Sequence, residues 1–287
     1  MNHLLLRLTI LLCACSPPLL HATEEASLKI LTYNVLYGFN HQKATDVGAA
    51  WIKGQQADLV ALQEMNTYTQ DKLTNLAKKW DHPHSVILKE KGFPVALTSK
   101  TPIEVIEKRL QGMWHGYLHC KVNGTHIFVV HLSPSKHDVR VREAGILAAK
   151  IQPLLAAKER VIVLGDFNCN SPLDKSWLEE RQSTDEWRKK SPENADPGYV
   201  TMNKFLSLGL VDLVHSKQAP DKVQLGTFPT NLINPSRPGH NWRIDFILTD
   251  PLLAKSCTNA STLRDDAVHK ISDHFPVQAT FTPNPQR

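Results

Sequence analysis

One stretch constrains this chain more than any other: Val161-Ile162-Val163-Leu164-Gly165-Asp166-Phe167-Asn168. Four successive aliphatics, three of them β-branched, cannot alternate between core and solvent, so they call for a central strand covered on both faces. Gly165 ends the strand in this reading. Asp166 and Asn168 follow two residues apart, a spacing that projects two side chains the same way along an extended backbone. Gly, Asp and Asn also favour turns, so the tetrapeptide alone is equally compatible with a loop.

Other elements are read from periodicity. Leu28 to Val35 is a strand ending at Asn34, and Ala57 to Gln63 is a buried strand that delivers Glu64. Ala44, Val47 and Trp51 recur at helical spacing, as do Leu73, Leu76, Ala77 and Trp80. Val95 to Ser99 is a strand. Tyr117 to Val122 and Thr125 to Leu132 flank Asn123-Gly124, the dipeptide of a tight hairpin, so these strands are antiparallel neighbours and the second carries His131 at its end. A long helix with Ala144, Leu147, Ile151 and Leu155 on one face leads into the Val161 strand. A polar segment to about Tyr199, a short helix around Met202 and Phe205, an alternating strand from Arg243 to Leu248, and a last strand from Phe275 to Phe281 complete the reading. Strands joined partly by crossovers and partly by hairpins argue for mixed sheets with helical outer layers.

The 287 residues contain no repeat, low-complexity tract or Ser/Gly linker, so one domain spanning 23–287 is expected after a leader of 22 residues. That leader carries one cation, Arg7, an apolar run from Leu8 to Leu12, and a small-residue end at Ala22; it reads as a secretory signal peptide, with the product periplasmic or secreted. Pro17-Pro18 interrupts the apolar run too early for a membrane span. Leu12-Cys13-Ala14-Cys15 loosely resembles a lipobox, but Cys13 is an unusual occupant, so lipid attachment at Cys15 is the second reading. Cys120, Cys169 and Cys257 remain, which allows at most one internal disulfide. No Cys-x-x-Cys or His-Glu-x-x-His spacing indicates zinc, and the candidate ligands are oxygens. The formal charge of +5 is a mild basic excess with Lys and Arg scattered along the chain.

Three further stretches change the weight of Asp166 and Asn168. Thr32-Tyr33-Asn34-Val35, Leu62-Gln63-Glu64 and Ser272-Asp273-His274-Phe275-Pro276 each set a metal- or proton-competent residue at the edge of an apolar segment. In this order, over residues 28 to 282, they resemble the endonuclease/exonuclease/phosphatase superfamily, the deoxyribonuclease I-like fold shared by pancreatic deoxyribonuclease, abasic-site endonucleases, neutral sphingomyelinases and inositol polyphosphate phosphatases. The resemblance implies a four-layer α/β sandwich: two mixed β-sheets face to face, helices on both outer sides, and a site where loops from both sheets meet.

It also implies a chemistry. Phosphate-ester hydrolysis needs neutralised phosphoryl oxygens, an activated in-line water, and relief of charge on the leaving oxygen. Glu64 matches the principal ligand of a divalent cation, Mg2+ or Mn2+, with Asn34 and Asp273 completing the protein share of its shell. Asp166 matches the group that orients or deprotonates the water, and Asn168 the one holding a phosphoryl oxygen or the nucleophile. His274 closes the site with Asp245 as its orienting partner, and His131 contacts the phosphate or acts as general acid. Whether Asp166 or His274 takes the water's proton stays open, as does one metal or two. One departure stands out: where many members carry a small polar pair before the strand at 95–99, this chain has Pro94 and Val95, so a phosphate contact is missing there. His115, His119, His126, His137 and His240 fit no motif.

The resulting expectation is an exported, metal-dependent hydrolase of phosphodiester bonds, monomeric and without stable membrane insertion, with nucleic acid as its substrate. A sphingomyelinase-like or phosphoinositide-directed lipid phosphoesterase is the alternative within the same chemistry. The lipid reading requires an exposed aromatic hairpin, whereas Trp177 and Trp187 sit in a charged segment. A catalytically dead binding module is the alternative outside it, and such a chain would have lost some of these acidic and His positions.

Overall fold

A computed structural model describes residues 27–182, 199–218, 226–236 and 242–282. The leader with Cys15, and Trp187, Arg237 and His240, lie outside the described residues. Within them, two six-stranded sheets pack face to face. The first has the order β11 (Cys257–Thr262), β12 (Val277–Phe281), β1 (Leu28–Asn34), β2 (Leu59–Gln63), β4 (Ala96–Ser99), β3 (His84–Ile87). The second runs β5 (Glu104–Arg109), β6 (Tyr117–Val122), β7 (Thr125–His131), β8 (Arg160–Asp166), β10 (Asp245–Thr249), β9 (Val211–Asp212). Both are mixed: β1 and β2 run parallel, as do β7 and β8, while the hairpin β6/β7 turns at Asn123-Gly124 as its sequence requires.

Three apolar clusters define four layers. Ile30, Leu59, Ala61, Leu97 and Val277 of the first sheet meet Leu118, Ile127, Val129, Ile162 and Leu164 of the second in the central interface. The outer face of the first sheet is covered by helix α1 (Thr45–Gln55) and helix α2 (Gln70–Ala77) through Trp51, Ile52, Leu73 and Leu76. Helix α3 (His137–Ala156) and the short helix Val200–Leu206 cover the second through Ala144, Leu147, Ile151, Met202 and Phe205. The central strand β8 shows why an unbroken aliphatic run was needed: Ile162 and Leu164 enter the central interface, while Val161 and Val163 face α3.

The strand does not end at Gly165. It continues through Asp166, and Gly165 sits at φ 136° where an added Cβ would lie 2.0 Å from the Val130 carbonyl oxygen. The glycine thus permits close approach of β7 and β8 one residue before their functional ends. Beyond Asp166 the backbone turns left-handed at Asn168, φ 48°, so the two side chains do not share the extended-strand alternation expected from their spacing. Short polar strands escaped the periodicity reading. β5 is an edge strand whose charged Glu104, Glu107, Lys108 and Arg109 blunt the open edge of its sheet. Trp177 is buried in the central interface rather than presented to solvent.

Arg243 is also an interior residue. Its guanidinium grips Asp174 at 2.7 and 2.8 Å and Asp212 at 3.0 and 2.6 Å, all three groups fully buried. It ties β9 and the 172–174 turn to the residues that lead into β10. Replacing Arg243 with Met would leave two carboxylates facing each other in the interior. Urea denaturation is expected to show a loss of about 3–5 kcal/mol.

Candidate active site

Both sheets deliver their charged residues to the same end of the sandwich. From the first sheet come Asn34 at the end of β1, Glu64 just past β2, and Asp273 and His274 just before β12. From the second come His131 and Asp166, paired in register at the ends of β7 and β8, and Asp245, paired with Asp166 at the start of β10. A row of three residues across adjacent strands therefore faces a second row across the interface.

Two hydrogen bonds join the rows. Asn34 Nδ2 donates to Asp166 Oδ2 at 3.0 Å and to Glu64 Oε1 at 3.2 Å. His274 Nδ1 pairs with Asp245 Oδ2 at 2.9 Å. The orientation of the Asn34 amide is fixed by its surroundings: the Leu36 N–H needs an acceptor and takes Asn34 Oδ1, while two carboxylates need donors and take Nδ2. The oxygen that the sequence reading offers to a cation accepts the Leu36 bond, and the amide bridges the two carboxylates. Asp166 is central, with Oδ2 3.6 Å from His131 Nε2 and 3.9 Å from His274 Nε2. Its other oxygen accepts from the Asn168 N–H at 2.9 Å, and Asn168 Nδ2 is anchored on the Leu132 carbonyl. All sequence-nominated residues thus converge on one site, although Asn168 is held by backbone contacts.

Burial and mutual charge separate the titrations. Burial raises the Asp166 carboxyl above its ordinary value, and the Asp245 charge adds to this. Burial alone would discharge His274, but Asp245, Asp166 and Asp273 outweigh it and hold the imidazole charged, well above its usual range. His131 goes the other way: burial, then the neighbouring His115 and His274, keep it neutral. Glu64 is raised by burial, opposed by His274 and the bonds from Tyr37 and Asn34.

Unusual backbone frames the site. Residues 36–42 all have positive φ, from 43° to 75°, and only Gly38 among them is a glycine. Left-handed backbone costs a non-glycine residue about 1–2 kcal/mol. Burial of Phe39 against Gly48 and Tyr68 offsets part of that cost. The turn aims two N–H groups at the site: Leu36 onto Asn34 and Tyr37 onto Glu64 Oε2 at 3.1 Å. Thr227 and Ser272 also position the site. The Thr227 hydroxyl receives the Ile244 and Asp245 N–H groups, and the Ser272 hydroxyl links the Asn34 carbonyl to the His274 N–H. Ser272 opens the Ser272–Pro276 motif, whereas Thr227 carries no sequence signal. His115 fits no motif either, yet it stacks on His131 with ring centres 4.3 Å apart.

A family model described as the Endonuclease/Exonuclease/phosphatase family covers residues 31–274. The chain belongs to this family. No curated protein sequence matches it, but solved structures do. An AP endonuclease from Archaeoglobus fulgidus superimposes with a TM-score of 0.69 at 22% identity, over 88% of this chain and 99% of that one. The 3′ phosphatase NExo from Neisseria, bound to a product DNA hairpin, gives 0.65 at 20% identity over 88% and 99%. The 3′-5′ exonuclease NExo from Neisseria meningitidis gives 0.62 at 20% over the same shares. These likenesses establish the fold.

Family membership implies a divalent metal, and the donor set suits one. Asp166 and Asp245 lie together beside the charged His274, Asp245 Oδ1 is buried without a hydrogen-bond partner, and Glu64 and Asp273 add carboxylates alongside. An oxygen-rich set with this much negative charge matches a hard cation. Pro94 and Val95 are both buried, so no polar side chain reaches the site from the start of β4.

The Asp245–His274 pair generates two expectations. Asp245→Asn and His274→Ala each lower kcat, and the double variant is little worse than the worse single one, because the two act as a unit. Asp245→Asn also removes the strongest attraction for the His274 proton, so the imidazole discharges at lower pH. If the charged form is the active one, the basic limb of the kcat profile moves to lower pH. Strictly additive losses with an unmoved profile would show independent action.

Proposed function

We propose that this protein is an exported, Mg2+-dependent phosphodiesterase acting on nucleic acid. The observation that carries the reading is the position of Asp166: a buried carboxylate of raised basicity, held by Asn34 across the sheet interface, with one charged and one neutral imidazole within 4 Å. Each side chain then has a role that its state suits. Asp166 accepts the proton of the attacking water, since His274 is already protonated. His274 places positive charge against the phosphoryl oxygens, and Asp245 positions its ring. Neutral His131 is a poor proton donor to a leaving group, which favours the phosphate-contact role. Glu64 and Asp273, with Asn34 close by, hold the metal, which neutralises phosphoryl charge when bound. Asn168 orients the substrate or the water beside Asp166. Nothing in this division of labour calls for a protein nucleophile.

A nucleic-acid substrate is supported by the basic excess of the chain and by the product DNA hairpin bound to the similarly folded 3′ phosphatase from Neisseria. Among the described residues no helix is long and apolar enough to cross a membrane. Export rests on the leader alone, which predicts cleavage after Ala22 and a mature protein starting at Thr23; N-terminal sequencing of the secreted product checks it.

The test is a substrate panel with Mg2+: single-stranded and plasmid DNA, RNA, sphingomyelin vesicles and a phosphoinositide, each at low and moderate salt. Nucleic-acid cleavage that weakens steeply with salt is expected, because binding a polyanion releases counterions. Vesicle hydrolysis without nucleic-acid cleavage would transfer the protein to the lipid phosphoesterases. Glu64→Gln keeps the side-chain shape at a left-handed position, φ 60°, and removes the charge. Turnover is expected to fall by about 100-fold or more with unchanged circular dichroism. Wild-type turnover in this variant would remove Glu64 from the mechanism.

A further inference from the structure

From the reacting end of Asp166 an unbroken series of rings leads to the surface, and beyond His131 it is made of side chains that the phosphoryl chemistry does not use. His131 stacks on His115, and Phe93 packs its ring 5.1 Å from His115 and 6.5 Å from His131. Tyr37 lies 5.1 Å from Phe93, edge to face, and stacks on His41 at 4.6 Å and 12° between planes. On the other side of His115, Trp114 stands edge-on at 6.4 Å. The two ends of the series are open: Tyr37 is 39% and Trp114 47% exposed, unusual values for large rings in a chain whose other tryptophans among the described residues are mostly core.

Cations border this shelf. The Lys136 ammonium lies 5.9 Å from the centre of the Trp114 ring. Lys89 is half-buried and folds back over Gly92, next to Phe93, and makes no hydrogen bond to any described residue. Its charge is felt by both His115 and His131. The turn that carries Lys89 and Phe93 is the one that enters β4 through Pro94 and Val95, where a polar phosphate contact is absent. Exposed rings flanked by ammonium groups, each joined to His131 through one intervening ring, match a ligand with a flat π-face next to a charged ester.

We infer that the Tyr37–Phe93–Trp114 shelf is a stacking subsite for a nucleobase attached next to the scissile phosphate, with Lys89 and Lys136 contacting the adjoining backbone. The inference rests on the nucleic-acid reading above and gives it a specific cause: this enzyme selects single-stranded, base-bearing substrate, because a base must leave its own stack to lie on the shelf. A lipid phosphodiester offers no ring to the same surface. The left-handed turn at 36–42 thereby serves twice, its N–H groups holding Asn34 and Glu64 and its Tyr37 side chain forming the shelf.

The experiment compares a short single-stranded oligodeoxynucleotide with the same backbone carrying base-free tetrahydrofuran units on both sides of one scissile phosphate. Wild-type enzyme is expected to favour the base-bearing strand about ten-fold or more in kcat/KM. That preference is expected to collapse toward unity in Tyr37→Asn and in Trp114→Ala; asparagine is chosen because it tolerates the left-handed backbone. As a readout independent of turnover, the inactive Asp166→Asn protein is expected to bind the base-bearing strand more tightly by fluorescence anisotropy, and to lose the difference when Trp114→Ala is added. Cleavage of both strands with equal efficiency, or a base preference that survives both substitutions, would overturn the shelf while leaving the nuclease reading in place. Hydrolysis of methyl p-nitrophenyl phosphate with no cleavage of either strand would overturn the nuclease reading, and the shelf with it.

Discussion

The structure depends on one electrostatic constraint: Glu64, Asp166, Asp245 and Asp273 are crowded at the joint between two sheets, with His274 as the cation that faces them. Removing carboxylates from water costs several kcal/mol each unless their charge is answered. Some of the answer is internal. Asn34 shares its amide between Glu64 and Asp166, Tyr37 and Asn168 give backbone N–H groups, and Asp245 keeps the His274 proton in place. The remainder is left over, visible in the raised Asp166 carboxyl and the unpartnered Asp245 oxygen. A site with uncompensated negative charge is prepared for a cation, and a cation so placed attracts phosphate.

The sandwich architecture follows from the same need. One sheet alone presents a single row of strand ends, and two residues on it cannot face each other across a gap the size of a phosphate. Packing a second sheet against the first, with the functional ends of both at one edge, sets Asn34, Glu64, Asp273 and His274 opposite His131, Asp166 and Asp245. The rigid parts are the central strands, and Gly165 lets β7 and β8 approach closely enough to keep His131 beside Asp166. Left-handed backbone clusters in the connections around the site, at 36–42, Glu64 and Asn168, while elsewhere it occurs as single residues in turns and at helix ends, such as Gln56, Asp81 and Asn123.

Much of this was legible in the sequence for a physical reason. Central strands are buried on both faces, so β8, β7, β2 and β1 spell out apolar runs, and the polar residue ending each run is conspicuous. Asn34, Glu64, His131 and Asp166 stand out in this way, and Asp273 and His274 stand out in the Ser272–Pro276 motif that precedes β12. Edge strands carry no such signature: β5 looks like a solvated charged segment, and β3 and β9 are too short to show a period. Left-handed backbone at Leu36, Tyr37 and Phe39 contradicts their local preferences and is imposed by tertiary contacts. Alternation alone extends the strand back to Arg243, two residues before β10 begins at Asp245; there the chain leaves the sheet and buries the guanidinium against Asp174 and Asp212. His115 and Trp114 sit in a loop far in sequence from the motifs, so only the folded chain brings them beside His131.

The central claim is that the carboxylate cluster at the sheet joint holds a catalytic divalent cation. Diffraction data from crystals grown with Mn2+, collected at the manganese absorption edge, test it without recourse to any substrate. The account predicts an anomalous peak beside the Glu64 carboxylate, about 2.1 Å from its nearest oxygen and facing Asp166, that disappears in Glu64→Gln. Well-ordered crystals with no peak between Glu64, Asp166 and Asp273, or a peak that persists unchanged in Glu64→Gln, would contradict it.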